Sequence, residues 1–95
     1  MIHVLARITV KPESAAAARQ ILLTLVNETR KEAGCKAYEL FQRADAPHEF
    51  QTVEEWADQA SVDAHMSSPH IGAAIAAAGP MFAAPPEIHT FDKLA

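Results

Sequence analysis

The sequence is poor in cysteine, in glycine and in long apolar runs, and each shortage excludes a class of protein. Cys35 is the only cysteine, so the chain cannot form an internal disulfide. Three glycines leave no glycine-rich loop of the kind that binds the phosphates of flavin or nucleotide cofactors. No apolar run is long enough to span a bilayer, and the first residues lack the segments of a signal peptide. We therefore expect a cytoplasmic protein that does not bind membranes.

Positive charge is scarce as well. Eight Lys and Arg residues stand against twelve Asp and Glu, with no basic run, which argues against nucleic-acid binding. The hydrophobic fraction of 49% and the charged fraction of 21% are those of a globular protein. Ninety-five residues predict a single domain over 1–95. So short a chain buries a limited core, and dimerisation would help to stabilise it.

Hydrophobic periodicity divides the chain into four strands and three helices. Apolar side chains alternate along 2–10, which is typical of a strand, and recur every three or four residues along 15–33, which is typical of a helix. Ser14 is the expected N-cap of that helix, and Gly34 is expected to end it in a left-handed conformation. Further strands are predicted over 36–43, 48–56 and 87–93, a short helix that ends near residue 66, and an alanine-rich helix over 69–78.

This order of elements predicts a fold. The succession β-α-β-β-(α-α)-β is the split β-α-β arrangement of ferredoxin-like α+β folds, with helices on one face of the sheet. The first strand carries Leu5 and Arg7 on its other face, which is therefore neither plainly apolar nor plainly solvated. A second sheet would cover such a face, so we expect a homodimer.

The stretch 54–70 carries most of the residues suited to chemistry. It contains Trp56, His65 and His70, and imidazole is the side chain best suited to proton transfer near neutral pH. On one continuous helix the two histidines would lie about 140° apart. Ser68 and Pro69 form a typical helix start, however, and a break there would let the histidines approach each other. We predict that His65 and His70 are catalytic; helix-end caps are the alternative.

Other residues are predicted to bind the substrate. Tyr38 and Glu54 each offer a polar group on a strand, and Arg7 is a further polar candidate on the first strand. Trp56, Met66 and Phe82 could line an apolar pocket, although core packing explains each of them equally simply. No metal site is predicted, because the sequence has no His-x₃-His pair and no cysteine at ligand spacing.

Several short motifs occur along the chain in a particular order. They are Gly34-Cys35, Tyr38-Glu39, Phe50, Glu54-Glu55-Trp56, His65 and Ser68-Pro69-His70. Together they resemble the antibiotic biosynthesis monooxygenase (ABM) family, and most of all its small quinol-monooxygenase-like members. The resemblance runs from Ile2 to about Phe91. It implies a ferredoxin-like βαββ(αα)β sandwich that pairs into a dimeric α+β barrel. It also implies a monooxygenase that oxidises a small aromatic or quinol substrate without metal or flavin.

Other functions stay open at this point. One is a non-catalytic dimeric barrel that binds a small hydrophobic ligand, and another is a cofactor-free isomerase of small carbonyl compounds, since a fold does not choose a function. Haem degradation is disfavoured. Haem-degrading proteins of similar fold are associated with an Asn on the first strand and a Trp on a helix. This chain has only Asn27, in the first helix, and Trp56, at the end of a strand.

Overall fold

The computed structural model describes residues 1–95. The predicted elements are all present, and only their ends differ by a few residues. None of the helices combines the length and the apolar character needed to cross a membrane. In chain order the elements are β1 (Ile2–Thr9), α1 (Ala15–Thr29), β2 (Cys35–Gln42), β3 (Glu49–Trp56), α2 (Gln59–Met66), α3 (Pro69–Ala78) and β4 (Glu87–Phe91), with short 3₁₀ turns at Pro12–Ser14 and Gly79–Met81.

The four strands form one antiparallel sheet in the order β2-β3-β1-β4. In its register Glu54 of β3 lies opposite Val4 of β1 on one side and Tyr38 of β2 on the other. These three side chains therefore point to the same face, because cross-strand partners share a face. The arrangement is the predicted ferredoxin-like α+β fold.

Helix α1 ends at Thr29, four residues before the predicted end. The next residues form tight turns instead, with the amides of Lys31 and Glu32 bonded three residues back. Gly34 has no positive φ, so the predicted left-handed cap is wrong. Its role is close approach: a Cβ at this position would collide with the side chain of Ser61 on α2. The cap predicted at Ser14 is also wrong, since its side chain makes no capping hydrogen bond and a 3₁₀ turn leads into α1.

The core lies between the helices and one face of the sheet. It consists of two clusters of buried side chains, one around Phe50 and the other around Trp56. Helix α1 contributes to both clusters along its predicted apolar stripe. The members of the Phe50 cluster are Ile8, Val10, Ala18, Leu22, Leu25, Phe50 and Ile71, and those of the Trp56 cluster are Val4, Val26, Tyr38 and Trp56.

The break between α2 and α3 is formed by the helix start at Ser68 and Pro69, as the sequence predicts. The side chain of Ser68 accepts a hydrogen bond from the amide of Ile71 at 3.3 Å, and Pro69 occupies the first turn of α3. The Ser68 hydroxyl also donates to the carbonyl of His65 at 2.7 Å. One serine therefore ties the end of α2 to the start of α3.

The other face of the sheet carries no helix. Its large apolar side chains are partly open to solvent, including Phe41 at 52% and Phe91 at 47% exposure. Between them stand charged side chains that pair on the surface, such as Arg7 with Glu49 at 3.4 Å and with Glu87 at 3.5 Å. We call this surface the open face, and the helix-packed surface the covered face.

Candidate active site

A cavity of about 220 Å³ lies between the covered face and the helices. Of its 20 lining residues 14 are hydrophobic, so its occupant must be largely apolar. The polar minority decides how such an occupant would be oriented. These residues are Tyr38, Thr52, Glu54, His65, His89 and Thr90.

His89 is exposed, whereas His65 is the buried imidazole of this wall. It sits in the last turn of α2 and is only 3% exposed. Its ring packs against Trp56, with centroids 4.6 Å apart, and against Tyr38 at 5.6 Å. Its Nδ1 lies 2.7 Å from Oε2 of Glu32, whereas Nε2 has no partner in the protein. Packing and one hydrogen bond thus hold the ring and leave one nitrogen for a ligand.

The bond to Glu32 determines what that nitrogen can do. A carboxylate only accepts hydrogen bonds, so Nδ1 must carry the proton. In the neutral ring Nε2 then bears the lone pair and can accept a proton from a molecule in the cavity. A carboxylate that orients an imidazole in this way also stabilises the imidazolium that forms. The geometry is that of a general base.

His70 approaches the same carboxylate from the start of α3. Its Nε2 lies 2.8 Å from Oε2 of Glu32, and its ring centroid is 6.0 Å from that of His65. The break at Pro69 does bring the two histidines together, as the sequence predicts. His70 does not line the cavity, however, and therefore stands behind His65.

Glu32 was missed by the sequence analysis. It is 33 residues from His65 and 38 from His70, and it reads as an ordinary charged residue near the end of a predicted helix. Only the tight turns after Thr29 carry its side chain under α2 and α3. The Glu32 carboxylate and the two imidazoles place their ligand atoms within 4.8 Å of one another, so they are also the group that could hold a metal ion.

Glu54 is a second acid of the site, and its environment is different. It is 4% exposed, and its two oxygens accept hydrogen bonds from the Thr52 hydroxyl at 2.6 Å and from the Trp56 indole at 2.9 Å. No basic side chain pairs with it. A buried carboxylate with both oxygens engaged is a rigid part of the wall rather than a free proton acceptor.

Tyr38 contributes a neutral hydroxyl. Burial raises the pKa of Tyr38, and the negative charge of Glu54 raises it further. The phenol therefore stays protonated. Because it makes no hydrogen bond within the protein, it is free to donate one to a ligand in the cavity.

The remaining predicted site residues divide between two places. Met66 and Phe82 line the cavity, as expected for an adaptable apolar wall. Trp56 does not line it and instead supports the ring of His65 from behind. Arg7 lies on the open face, in the surface ion pairs described above. The structure thus separates Arg7 from the cavity, because alternate side chains of a strand point to opposite faces.

Cys35 does not add a nucleophile. Burial raises the pKa of its thiol, and the nearby carboxylates of Glu32 and Glu54 raise it further. Since the thiolate is the reactive form, this cysteine is suited to packing.

Comparison with known proteins agrees with the architecture. The family model for "Antibiotic biosynthesis monooxygenase" matches residues 1–77. The chain belongs to this family. A Mycobacterium tuberculosis protein named "Putative monooxygenase Rv0793" is 33% identical over 69 residues, which are 73% of this chain and 67% of that protein. "Putative monooxygenase YcnE" of Bacillus subtilis is 30% identical over 93% of both chains.

Solved structures show the same fold along the whole chain. A crystal structure of an antibiotic biosynthesis monooxygenase superposes with a TM-score of 0.94 at 28% identity and covers all of both chains. The Rv0793 structure gives 0.90 at 29% identity, over 99% of this ABM protein and 95% of that chain. A conserved protein from Methanosarcina mazei gives 0.89 at 31% identity, over 98% and 92%. The family and the names of its relatives confirm the predicted enzyme class, a monooxygenase.

Proposed function

We propose that this protein is a cofactor-independent monooxygenase that oxidises a small aromatic or quinol substrate in the cavity of the covered face. The observation that carries the proposal is the pairing of His65 with Glu32, which leaves Nε2 of the imidazole as a proton acceptor. The wall around it is otherwise mostly apolar. This combination suits a substrate with one acidic hydroxyl on an apolar body.

The size of the cavity limits the substrate. A protein cavity of about 150 Å³ is enough to bind benzene. The cavity here has about 220 Å³ and so has room for a substituted single ring or a compact two-ring molecule. Met66 and Phe82 in the wall supply flexible and planar contacts for such a ring.

Proton transfer to His65 would start the reaction. In the proposed complex Nε2 of His65 takes the proton of a substrate hydroxyl, and the Glu32 carboxylate stabilises the resulting imidazolium. The Tyr38 hydroxyl donates a hydrogen bond to a substrate oxygen. A quinol anion is electron-rich, and the apolar walls keep water from the reactive species that it forms with dioxygen.

The balance of electrons needs no further reductant. A quinol supplies all four electrons that reduce dioxygen, so that one oxygen atom enters the ring to give a hydroxyquinone and the other leaves as water. Neither a flavin nor a metal is required for this balance. The protein's part is to remove a proton, hold the ring and exclude water.

Oxygen uptake with 1,4-naphthohydroquinone, measured on metal-stripped protein without flavin, tests the proposal. We expect enzyme-dependent uptake above the spontaneous oxidation measured with heat-denatured protein, together with a hydroxylated product. Glu32→Gln should reduce turnover about 10- to 100-fold, because a hydrogen bond to a charged group contributes roughly 1.5–3 kcal/mol. His48→Gln, in the connection between β2 and β3, is the matched control. Binding of the quinol without uptake would instead favour a non-catalytic ligand-binding barrel.

We also propose that the protein works as a homodimer formed through the open face. Phe41, Val53 and Phe91 on this face are each between 37% and 52% exposed, which is unusual for large apolar residues on three strands of one sheet. A second sheet packed there would close the α+β barrel and bury them. Sedimentation at low micromolar concentration tests this proposal, and a stable monomer would contradict it.

A further inference from the structure

The cluster of Glu32, His65 and His70 has a second chemical capacity besides proton transfer. Its three side chains come from three separate segments: the turn after α1, the end of α2 and the start of α3. Two imidazole nitrogens point at the same carboxylate oxygen, at 2.7 and 2.8 Å. We propose that these residues form a binding site for a divalent transition cation of the Zn²⁺ type.

The kind of donor atom selects the cation. Two nitrogen ligands and one carboxylate are the set that Zn²⁺ and its first-row neighbours prefer. Mg²⁺ and Ca²⁺ prefer oxygen ligands throughout, so they are poor candidates. Three protein ligands leave one coordination position for water.

The three donor atoms lie somewhat farther apart, or closer together, than the ligand atoms of a tetrahedral metal site. Metal–ligand bonds of roughly 2.0–2.2 Å in a tetrahedral site place neighbouring ligand atoms about 3.3 Å apart. The three donor atoms already lie within 4.8 Å of one another. The two imidazole nitrogens would have to approach each other by up to about 1.5 Å, and the carboxylate would have to withdraw from them by about 0.5 Å. Glu32 stands in the turn beyond α1, and its other oxygen has no hydrogen-bond partner, so its side chain can make this movement.

The surroundings hold His65 in place and leave the cluster accessible. Trp56 packs on the ring of His65, and the Ser68 hydroxyl binds its carbonyl at 2.7 Å. The side chains of Glu32 and His70 are 17% and 21% exposed, so an ion can enter from their side. His70 also lines a surface groove between α1 and α3, which gives a path from solvent that does not cross the cavity.

Binding of the cation would change the chemistry of His65, and this consequence rests on the proposed function. A metal on Nδ1 takes the place of the proton there, so the neutral ring must carry its proton on Nε2. Nε2 would then donate a hydrogen bond and could no longer accept a proton. The cation is therefore expected to inhibit the monooxygenase.

Calorimetric titration of metal-stripped protein with ZnCl₂ tests the site without any substrate. We expect one Zn²⁺ per chain. Changing a residue that only supports a metal ligand already costs roughly 10–100-fold in affinity. Glu32→Gln and His70→Ala, which remove ligands, should therefore weaken binding at least about tenfold. His48→Gln should bind as the parent does. Circular dichroism shows that each variant is folded, and His70→Gln replaces His70→Ala if that variant is not.

Two further measurements complete the test. Zn²⁺ should raise the melting temperature of the parent and of His48→Gln, but not of the two ligand variants, since a cation that binds only the folded state stabilises it. The ¹⁵N resonances of His65 should show the metal on Nδ1. Absence of stoichiometric binding, or equal binding by all variants, would overturn the site. Zn²⁺ binding without inhibition of oxygen uptake would leave the site intact and contradict His65 as the base.

Discussion

The two faces of the sheet are made by the same four strands but use polar residues in opposite ways. On the covered face the few polar groups are buried and joined to particular partners, as Glu54 is to Thr52 and Trp56. On the open face charges are frequent and pair at the surface, as Arg7 does with Glu87. Exposed pairs contribute little, typically about 0–1 kcal/mol, whereas a buried polar group that loses its partner costs roughly 1–3 kcal/mol.

This difference shows which face of the sheet can hold catalytic side chains. A side chain that is to move a proton must be held in one orientation among mostly apolar walls, and only the covered face provides both. The open face instead offers exposed apolar rings between charges, which suits association with another surface. Equal substitutions on the two faces should therefore have unequal effects.

The largest contrast is expected between His65 and Arg7. His65→Ala removes the proposed base and should lower turnover of the quinol by a factor on the order of 10²–10⁴, the usual weight of general acid–base catalysis. Arg7→Ala, on the open face, should leave turnover within about threefold of the parent, because alternate side chains of a strand point to opposite faces and Arg7 does not line the cavity. Initial rates of oxygen uptake measure both variants. Near-parental turnover in His65→Ala would show that this imidazole is structural.

Glu54 and Glu55 are neighbours in sequence and give the next contrast. Glu54→Ala leaves a buried indole N–H and a buried hydroxyl without their acceptor, so the free energy of unfolding should fall by about 2–4 kcal/mol. Glu55→Ala removes only a distant partner of His3, 3.7 Å away, and should change it by less than about 0.5 kcal/mol. Urea unfolding followed by circular dichroism measures the difference. Equal losses would contradict the contribution of the two buried hydrogen bonds that Glu54 accepts.

The role of the exposed apolar side chains of the open face in dimerisation can be tested against that of an exposed apolar side chain on a helix. Phe41→Asp places a charge where the second sheet is proposed to pack, and should raise the dimer dissociation constant at least about 100-fold, since burying an unpaired charge costs several kcal/mol. Leu23→Asp, an exposed apolar residue on α1, should leave it unchanged. Sedimentation velocity over a range of concentrations gives both constants. Loss of the dimer in Leu23→Asp alone would move the interface to the helices.

The smallest effect concerns Tyr38, the only tyrosine. Because its pKa is raised in the folded state, its phenol should stay protonated above its ordinary pKa of 10.0. The unfolded chain ionises at that value, so folding stability is fully present below it and declines as the pH rises above it. Phenolate absorbance during an alkaline titration should therefore appear only together with unfolding. Ionisation of Tyr38 while circular dichroism is still native would contradict the burial of its hydroxyl.

Much of the architecture could be predicted because it depends on local patterns. Alternation along the strands, the apolar stripe of α1 and the Ser68-Pro69 helix start are each written in consecutive residues, and each is confirmed by the structure. The C-terminal end of α1 was predicted less well. A tight turn and a close contact between Gly34 and Ser61 decide where this helix stops, and neither is visible in a window of sequence.

The sequence by itself determined the ferredoxin-like order of elements, the family, and the break that lets His65 and His70 meet. The tertiary structure decided that Glu32 is the partner of both histidines. Glu32 reaches them only because the turn after α1 passes beneath α2 and α3, and contacts across more than thirty residues leave no periodic signal in the chain. It also decided that Arg7 and Glu54 serve different faces, because the pairing of strands, rather than the residue type, determines which side of a sheet is covered.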